Sequence, residues 1–151
     1  MKIHHNHSLR KGRRCIDWQI YLVTTCCFDR KELFKDVVAG QIVANEIRRS
    51  DLSGTTHTIA FVVMPDHLHW LFQLQIGQSL SRVVGIVKGR SAFYIGKKFP
   101  YVKKAWQRGY HDRAFRRMES IKATADYVIA NPLRAGLVSR ISDYPLWYQE
   151  N

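Results

Sequence analysis

The chain has 151 residues, 46% of them hydrophobic, a size and apolar content suited to one core and too small for several. Lys and Arg number 24 against 12 Asp and Glu, and the resulting formal charge of +12 argues against basic partners and for a polyanion. No apolar run approaches the roughly 18 residues that span a bilayer, and the N-terminal stretch MKIHHNHSLRKGRR lacks the apolar centre of a signal peptide, so a cytoplasmic protein is expected.

Residues 1–14 are basic and show no apolar period, which reads as an arm preceding a single domain over 15–151. From Ile16, the alternation Ile16, Trp18, Ile20, Leu22 against Asp17, Gln19, Tyr21 predicts a half-buried strand ending near Phe28. Leu33 to Arg49 carries apolar residues three to five apart, without proline, and predicts an amphipathic helix closed by Ser50 to Gly54. Thr55 to Met64 is rich in β-branched residues and His67 to Gln75 alternates; with only Pro65 and Asp66 between them, they form a hairpin.

Ser79 caps a second helix running to about Lys98, in which Gly85, Gly89 and Gly96 point to a break or a close backbone approach. Trp106 to Arg116 reads as a further strand and Glu119 to Ala130 as a helix stopped by Pro132, leaving a largely irregular tail. Strand, helix, hairpin, helix, strand and helix in this order make an α+β layer, a central antiparallel sheet covered by helices.

Charge is concentrated in residues 82 to 117, which hold eleven Lys or Arg and a single acid, Asp112, interleaved with aromatics such as Phe93, Tyr101 and Trp106. Phosphate contacts beside stacking rings are how single strands are gripped, although a solvated basic face over ordinary core aromatics has the same composition. Lys88, Arg90, Lys97, Lys98, Lys103, Lys104, Arg113, Arg116 and Arg117 are the candidate phosphate contacts. Ribosomal or other RNA-binding modules compete with DNA on charge alone, and an anionic membrane surface is a weaker competitor. Cys15, Cys26 and Cys27 lack metal-site spacing and are expected as reduced thiols.

His67-Leu68-His69 is the sharpest feature, because the two-residue period of a strand points both imidazoles to one face and Leu68 to the other. Such a pair can share a metal, or be two hydrogen-bonded histidines of a half-buried strand. Asp66, just before it, is more readily a turn residue than a carboxylate supporting an imidazole.

In order along the chain stand Val63-Met64-Pro65-Asp66-His67-Leu68-His69, Trp106-Gln107-Arg108-Gly109-Tyr110-His111-Asp112-Arg113, Tyr127-Val128-Ile129-Ala130-Asn131-Pro132 and Ala135-Gly136-Leu137-Val138. These four blocks resemble the single-tyrosine HUH nucleases, and within them the REP-associated tyrosine transposases related to the insertion-sequence single-strand transposases. The resemblance implies a ferredoxin-like HUH domain and a metal-dependent endonuclease and strand transferase acting on single-stranded or hairpin DNA of repetitive extragenic palindromes. It implies that His67 and His69 hold magnesium or manganese, that Tyr127 is the nucleophile, and that Asn131, one helical turn on, adds an oxygen to the metal; asparagine at that place also suits a helix cap.

Two imidazoles are soft company for a hard cation, and would suit zinc better, unless phosphate oxygens complete its shell. Tyr110 is the rival nucleophile; His57 with His111 could extend the pair to a four-histidine zinc site, but the absence of close metal-site spacing argues against it. Relatives occur as monomers and as dimers; no dimer seam is evident, and a monomer is expected. The competing reading from another class is a non-catalytic nucleic-acid-binding module descended from a transposase.

Overall fold

The computed structural model describes residues 17–116 and 120–151; the N-terminal arm, Cys15, Ile16 and Arg117 lie outside them. Strand β1 (Ile20–Cys26) leads through two 3-10 turns into helix α1 (Val37–Leu52), then the hairpin β2 (Thr56–Met64) and β3 (His67–Leu74), helix α2 (Leu80–Lys98) and strand β4 (His111–Ala114). Helix α3 (Ile121–Ile129), the short helix α4 (Asn131–Arg134) and strand β5 (Trp147–Gln149) follow. The five strands lie in the order β4-β1-β3-β2-β5 with every neighbouring pair antiparallel. Each helical crossover skips one place in the sheet, so β3 fills the gap between β1 and β2: the split βαβ arrangement of a ferredoxin-like fold. The fold is α+β, as expected from the sequence.

Both faces of the sheet are covered. On one, Val23, Val63, Leu68, Trp70 and Phe72 pack with Val43 and Ile47 of α1 and Val84 and Val87 of α2. On the other, Ala60, Val62, Met64 and Leu71 pack with Ala125 and Val128 of α3. The β2 register slips between Thr58 and Ala60, and this bulge exchanges the faces of its side chains. Thr58 therefore accepts a hydrogen bond from Trp70 Nε1 on the first face, while Val62 lies under α3 on the second.

Several boundaries differ from the sequence reading. Strand β1 begins four residues later than Ile16, because Trp18 takes a positive φ of 64° and stands 52% exposed. Its alternation concealed a doubly covered strand: Tyr21 and Val23 enter one core, Ile20 and Leu22 the other. Helix α1 starts at Val37, where the Asp36 carboxylate accepts from the amides of Val38 and Ala39. Helix α2 runs unbroken through its three glycines, and a β-carbon at Gly85 or Gly89 would meet nothing within 4 Å.

The strand expected over Trp106 to Arg116 contracts to four residues, since Gly109 turns the chain with a φ of 81° and Trp106 makes only an isolated bridge to Cys27. Pro132 does not merely stop a helix; it opens α4. The tail holds an unexpected strand, β5, held to β2 and anchored by Leu146, which packs over Gly40 of α1 where any β-carbon would collide with it. Cys26 and Cys27 are free and buried, and burial pushes the Cys27 thiol up to about 12. Among the described residues no helix is long and apolar enough to cross a membrane.

Candidate active site

Strand β3 delivers the histidine pair onto the face covered by α3, at the end of the sheet where the Pro65-Asp66 turn joins β2 to β3. The rings of His67 and His69 stand edge to face with centroids 4.7 Å apart. Each Nδ1 is committed: that of His67 donates to Asp66 Oδ1 at 2.6 Å, and that of His69 lies 2.8 Å from Thr24 Oγ1 on β1. A carboxylate only accepts, so His67 Nδ1 carries a proton. The Thr24 hydroxyl can accept as well as donate, and in the tautomer where His69 Nδ1 donates to it the His69 Nε2 keeps a lone pair for a ligand. Among the described residues neither Nε2 has a hydrogen-bond partner.

Asp66 thus does both things weighed for it, sitting in the turn and holding an imidazole. Its other oxygen accepts from Arg30 Nε at 3.0 Å, and Arg30 Nη1 lies 2.9 Å from Cys26 Sγ. Burial works to raise the Asp66 carboxyl, but the hydrogen bonds and charges of His67 and Arg30 outweigh it and hold it below the usual range. Asp29 and Arg30 both adopt left-handed φ, 55° and 54°, a strained local path that brings the guanidinium back to the turn. No sequence pattern marks Arg30 or Thr24; both are defined by the strand register and the turn beside it.

His69 is driven down to about 4 by burial first, then by the charges of His67, Arg134 and Arg30. It is neutral at physiological pH, as a metal ligand must be. Its folded value lies below the ordinary imidazole value of 6.5, so the unfolded chain takes up the proton first as pH falls. The metal-free protein should therefore lose stability between about pH 6.5 and 4, by on the order of 3 kcal/mol, with the loss complete below both values. Urea unfolding across that range checks this, and His69→Gln should flatten the profile; an unchanged slope in the variant would assign the effect to other groups.

Tyr127 projects from α3 at 62% exposure, whereas Tyr110, the rival nucleophile, is only 5% exposed and belongs to the core under α2. Arg134 of α4 folds back onto Tyr127: its Cζ lies 3.6 Å from the ring centroid and its Nη2 donates to the Tyr127 carbonyl at 2.8 Å. Asn131 Nδ2 donates to the Val128 carbonyl at 2.8 Å, a carbonyl that would otherwise turn to residue 132, where proline has no N–H. Asn131 is therefore a helix cap, and its Oδ1 has no hydrogen bond among the described residues.

The four-histidine site does not form. His57 pairs with Gln73 at the far end of the hairpin and its Nε2 bonds Glu150 at 2.8 Å, while His111 is separated from His69 by β1, about 10 Å across two strand spacings. Among the described residues no three His, Cys, Asp or Glu side chains come together as a metal cluster.

The expected phosphate contacts divide. Lys88 Nζ donates to the carbonyls of Gln107 and Gly109, tying α2 to the loop before β4. Arg90 bonds the buried Glu46 of α1 at 2.8 Å. Both are engaged inside the fold. Lys97, Lys98, Lys103 and Lys104 are exposed on the end of α2 and the loop after it. Arg113 pairs with Leu22 in the β4–β1 register, which puts it on the face that carries the histidines, and Arg116 follows it, exposed.

The family model described as "Transposase IS200 like" matches residues 16–131, spanning β1 through the Tyr127 helix to Asn131. The chain belongs to the IS200-like transposases. This is a family of enzymes, and its model covers the histidine pair, Tyr127 and Asn131 alike. A REP-associated tyrosine transposase of Escherichia coli K12 is 29% identical over 87 residues, 57% of this chain and 50% of that protein. The chain thus matches about half the length of that curated relative. Among solved structures, a REP-associated tyrosine transposase bound to a REP hairpin superposes with a TM-score of 0.74 at 23% identity, covering 89% of this chain and 79% of that one. A transposase-like protein of Deinococcus radiodurans superposes with a TM-score of 0.58 at 22% identity, over 80% of this chain and 95% of its own. At these identities the structures speak for the fold, which they share with this IS200-like chain.

Proposed function

We propose that this IS200-like transposase is a divalent-metal-dependent endonuclease and strand transferase for single-stranded DNA, acting as a cytoplasmic monomer on hairpins of repetitive extragenic palindromes. The observation that carries the reading is the pair of partnerless Nε2 atoms, anchored through Nδ1 on the sheet face that α3 covers, with an exposed tyrosine on that same helix. The likeness to proteins named for REP association, one of them seen with a REP hairpin, supports the choice of substrate.

His67 and His69 suit a divalent ion through Nε2, and Asn131 through Oδ1. Two nitrogens and one neutral oxygen leave room for phosphate oxygens, which fits magnesium or manganese better than the imidazoles alone would. When bound, the ion would offset charge on the phosphate and polarise it. Tyr127 Oη then bonds to phosphorus as the bond to the 3′-oxygen breaks; the phenol proton passes to solvent, and the released 3′-oxygen takes one up. The 5′-phosphotyrosine conserves the phosphodiester energy, so another 3′-hydroxyl can reverse the step without ATP. Lys97, Lys98, Lys103, Lys104, Arg113 and Arg116 are the proposed phosphate contacts. Arg117, outside the described residues, belongs with them by sequence, whereas Lys88 and Arg90 serve the fold first.

The test is end-labelled single-stranded hairpin DNA incubated with manganese, magnesium or chelator and resolved on a denaturing gel. A metal-dependent protein–DNA adduct is expected. Products bearing a free 5′-phosphate and no protein would make the enzyme a hydrolase; tight binding with no cleavage in any metal would leave a binding module.

A further inference from the structure

An exposed tyrosine on a helix ordinarily swings among staggered rotamers, which spreads its hydroxyl over several ångströms. Tyr127 is held at both ends by one side chain. The Arg134 guanidinium, 3.6 Å from the ring centroid, lies against its face, and the same guanidinium donates to the Tyr127 carbonyl at 2.8 Å. That carbonyl is in the last turn of α3, and the chain turns at Ala130 into α4, so among the described residues no backbone amide from beyond α3 donates to it. A planar fork can cover a ring and reach a carbonyl at once; an ammonium cannot do both.

The platform under Arg134 is itself pinned. Asn131 ties the start of α4 to Val128. At its other end Gly136, with a φ of 71°, closes the helix as Leu137 N donates to the Pro132 carbonyl and Gly136 N to that of Leu133. These are the paired bonds of a Schellman cap, and they account for the glycine at that place. Arg134 is also near enough to the metal pair for its charge to bear on His69.

We propose that Arg134 is the positioning residue of the nucleophile, clamping the Tyr127 ring and backbone so that Oη is presented to phosphorus in one orientation beside the histidine pair. The proposal rests on the reading of Tyr127 as nucleophile. Orientation acts on the chemical step and not on DNA affinity, and misplacement by about 1 Å costs on the order of 100-fold in rate.

The test compares wild type, Arg134→Ala and Arg134→Lys in single-turnover adduct formation on end-labelled hairpin DNA, alongside hairpin affinity and thermal midpoint. Arg134→Ala should slow adduct formation about 10- to 100-fold with affinity within about threefold, and Arg134→Lys should recover only part of the rate. An unchanged rate overturns the proposal, and so does a rate loss matched by lost affinity, which would make Arg134 a DNA contact. Should Arg134→Ala fail to fold, Arg134→Met replaces it. In parallel, tyrosine ring carbons are observed by NMR, with Tyr127 assigned through Tyr127→Phe; its signals should move and narrow in Arg134→Ala as the ring is freed. If wild type forms no adduct, the reading of the activity fails, and the ring signals alone judge the clamp: signals that stay in place overturn it.

Discussion

Tyr127→Phe is expected to abolish the covalent protein–DNA adduct, reducing its formation by at least about 1000-fold, while Tyr110→Phe leaves it within a few-fold of wild type. The substitution removes one oxygen and leaves the ring on which Arg134 packs, so the fold and hairpin affinity should survive. The contrast between the two tyrosines is one of access. Phosphorus in a bulky, charged backbone can approach a side chain 62% exposed but not one 5% exposed within the core. A denaturing gel with both variants decides the matter; loss of the adduct in Tyr110→Phe alone would move the nucleophile and require β4 to open.

The second large effect concerns the histidines. His67→Ala or His69→Ala should each lower metal-dependent adduct formation by at least about 100-fold, because either removes one of the two nitrogens proposed to hold the ion. Asp66→Asn should behave differently. The amide oxygen can still accept from Nδ1 but carries no charge, and it loses the ion pair with Arg30 Nε at 3.0 Å. Apparent metal affinity should fall about 10- to 100-fold, with the maximal rate restored at high metal. Titrating manganese against adduct yield separates the outcomes: an Asp66→Asn curve that shifts in height and not in midpoint would show that the carboxylate does something other than support His67.

Much of the architecture was legible in the sequence because local pattern and tertiary environment agreed. The hairpin around Pro65-Asp66 is one example, since two residues between β-rich runs admit a single local solution, and the capped helix from Ser79 is another. Legibility failed where a segment answers to neighbours that are distant in the chain. The three residues of β5 carry no period of their own and are a strand only because β2 offers an edge. Trp106 to Arg116 reads as one strand of eleven residues, yet only four form it, because Gly109 turns the chain and leaves Trp106 with an isolated bridge.

The same division runs through the site. Residue types and spacing alone determined that His67 and His69 share a face, that a tyrosine with an asparagine four residues on follows them, and that a large positive charge accompanies them; that Asn131 opens a second short helix instead of continuing the one that carries Tyr127 came from the structure. These follow from strand and helix periods, which are properties of the backbone and need no partner. Only the tertiary structure decided that Thr24 and Asp66 hold the imidazoles, that Lys88 and Arg90 are occupied within the fold, that Tyr110 is buried while Tyr127 is open, and that Arg134 lies across the tyrosine. Hydrogen bonds, burial and the reach of a guanidinium depend on the positions of groups in space, which no linear spacing carries until strand order and helix ends are set.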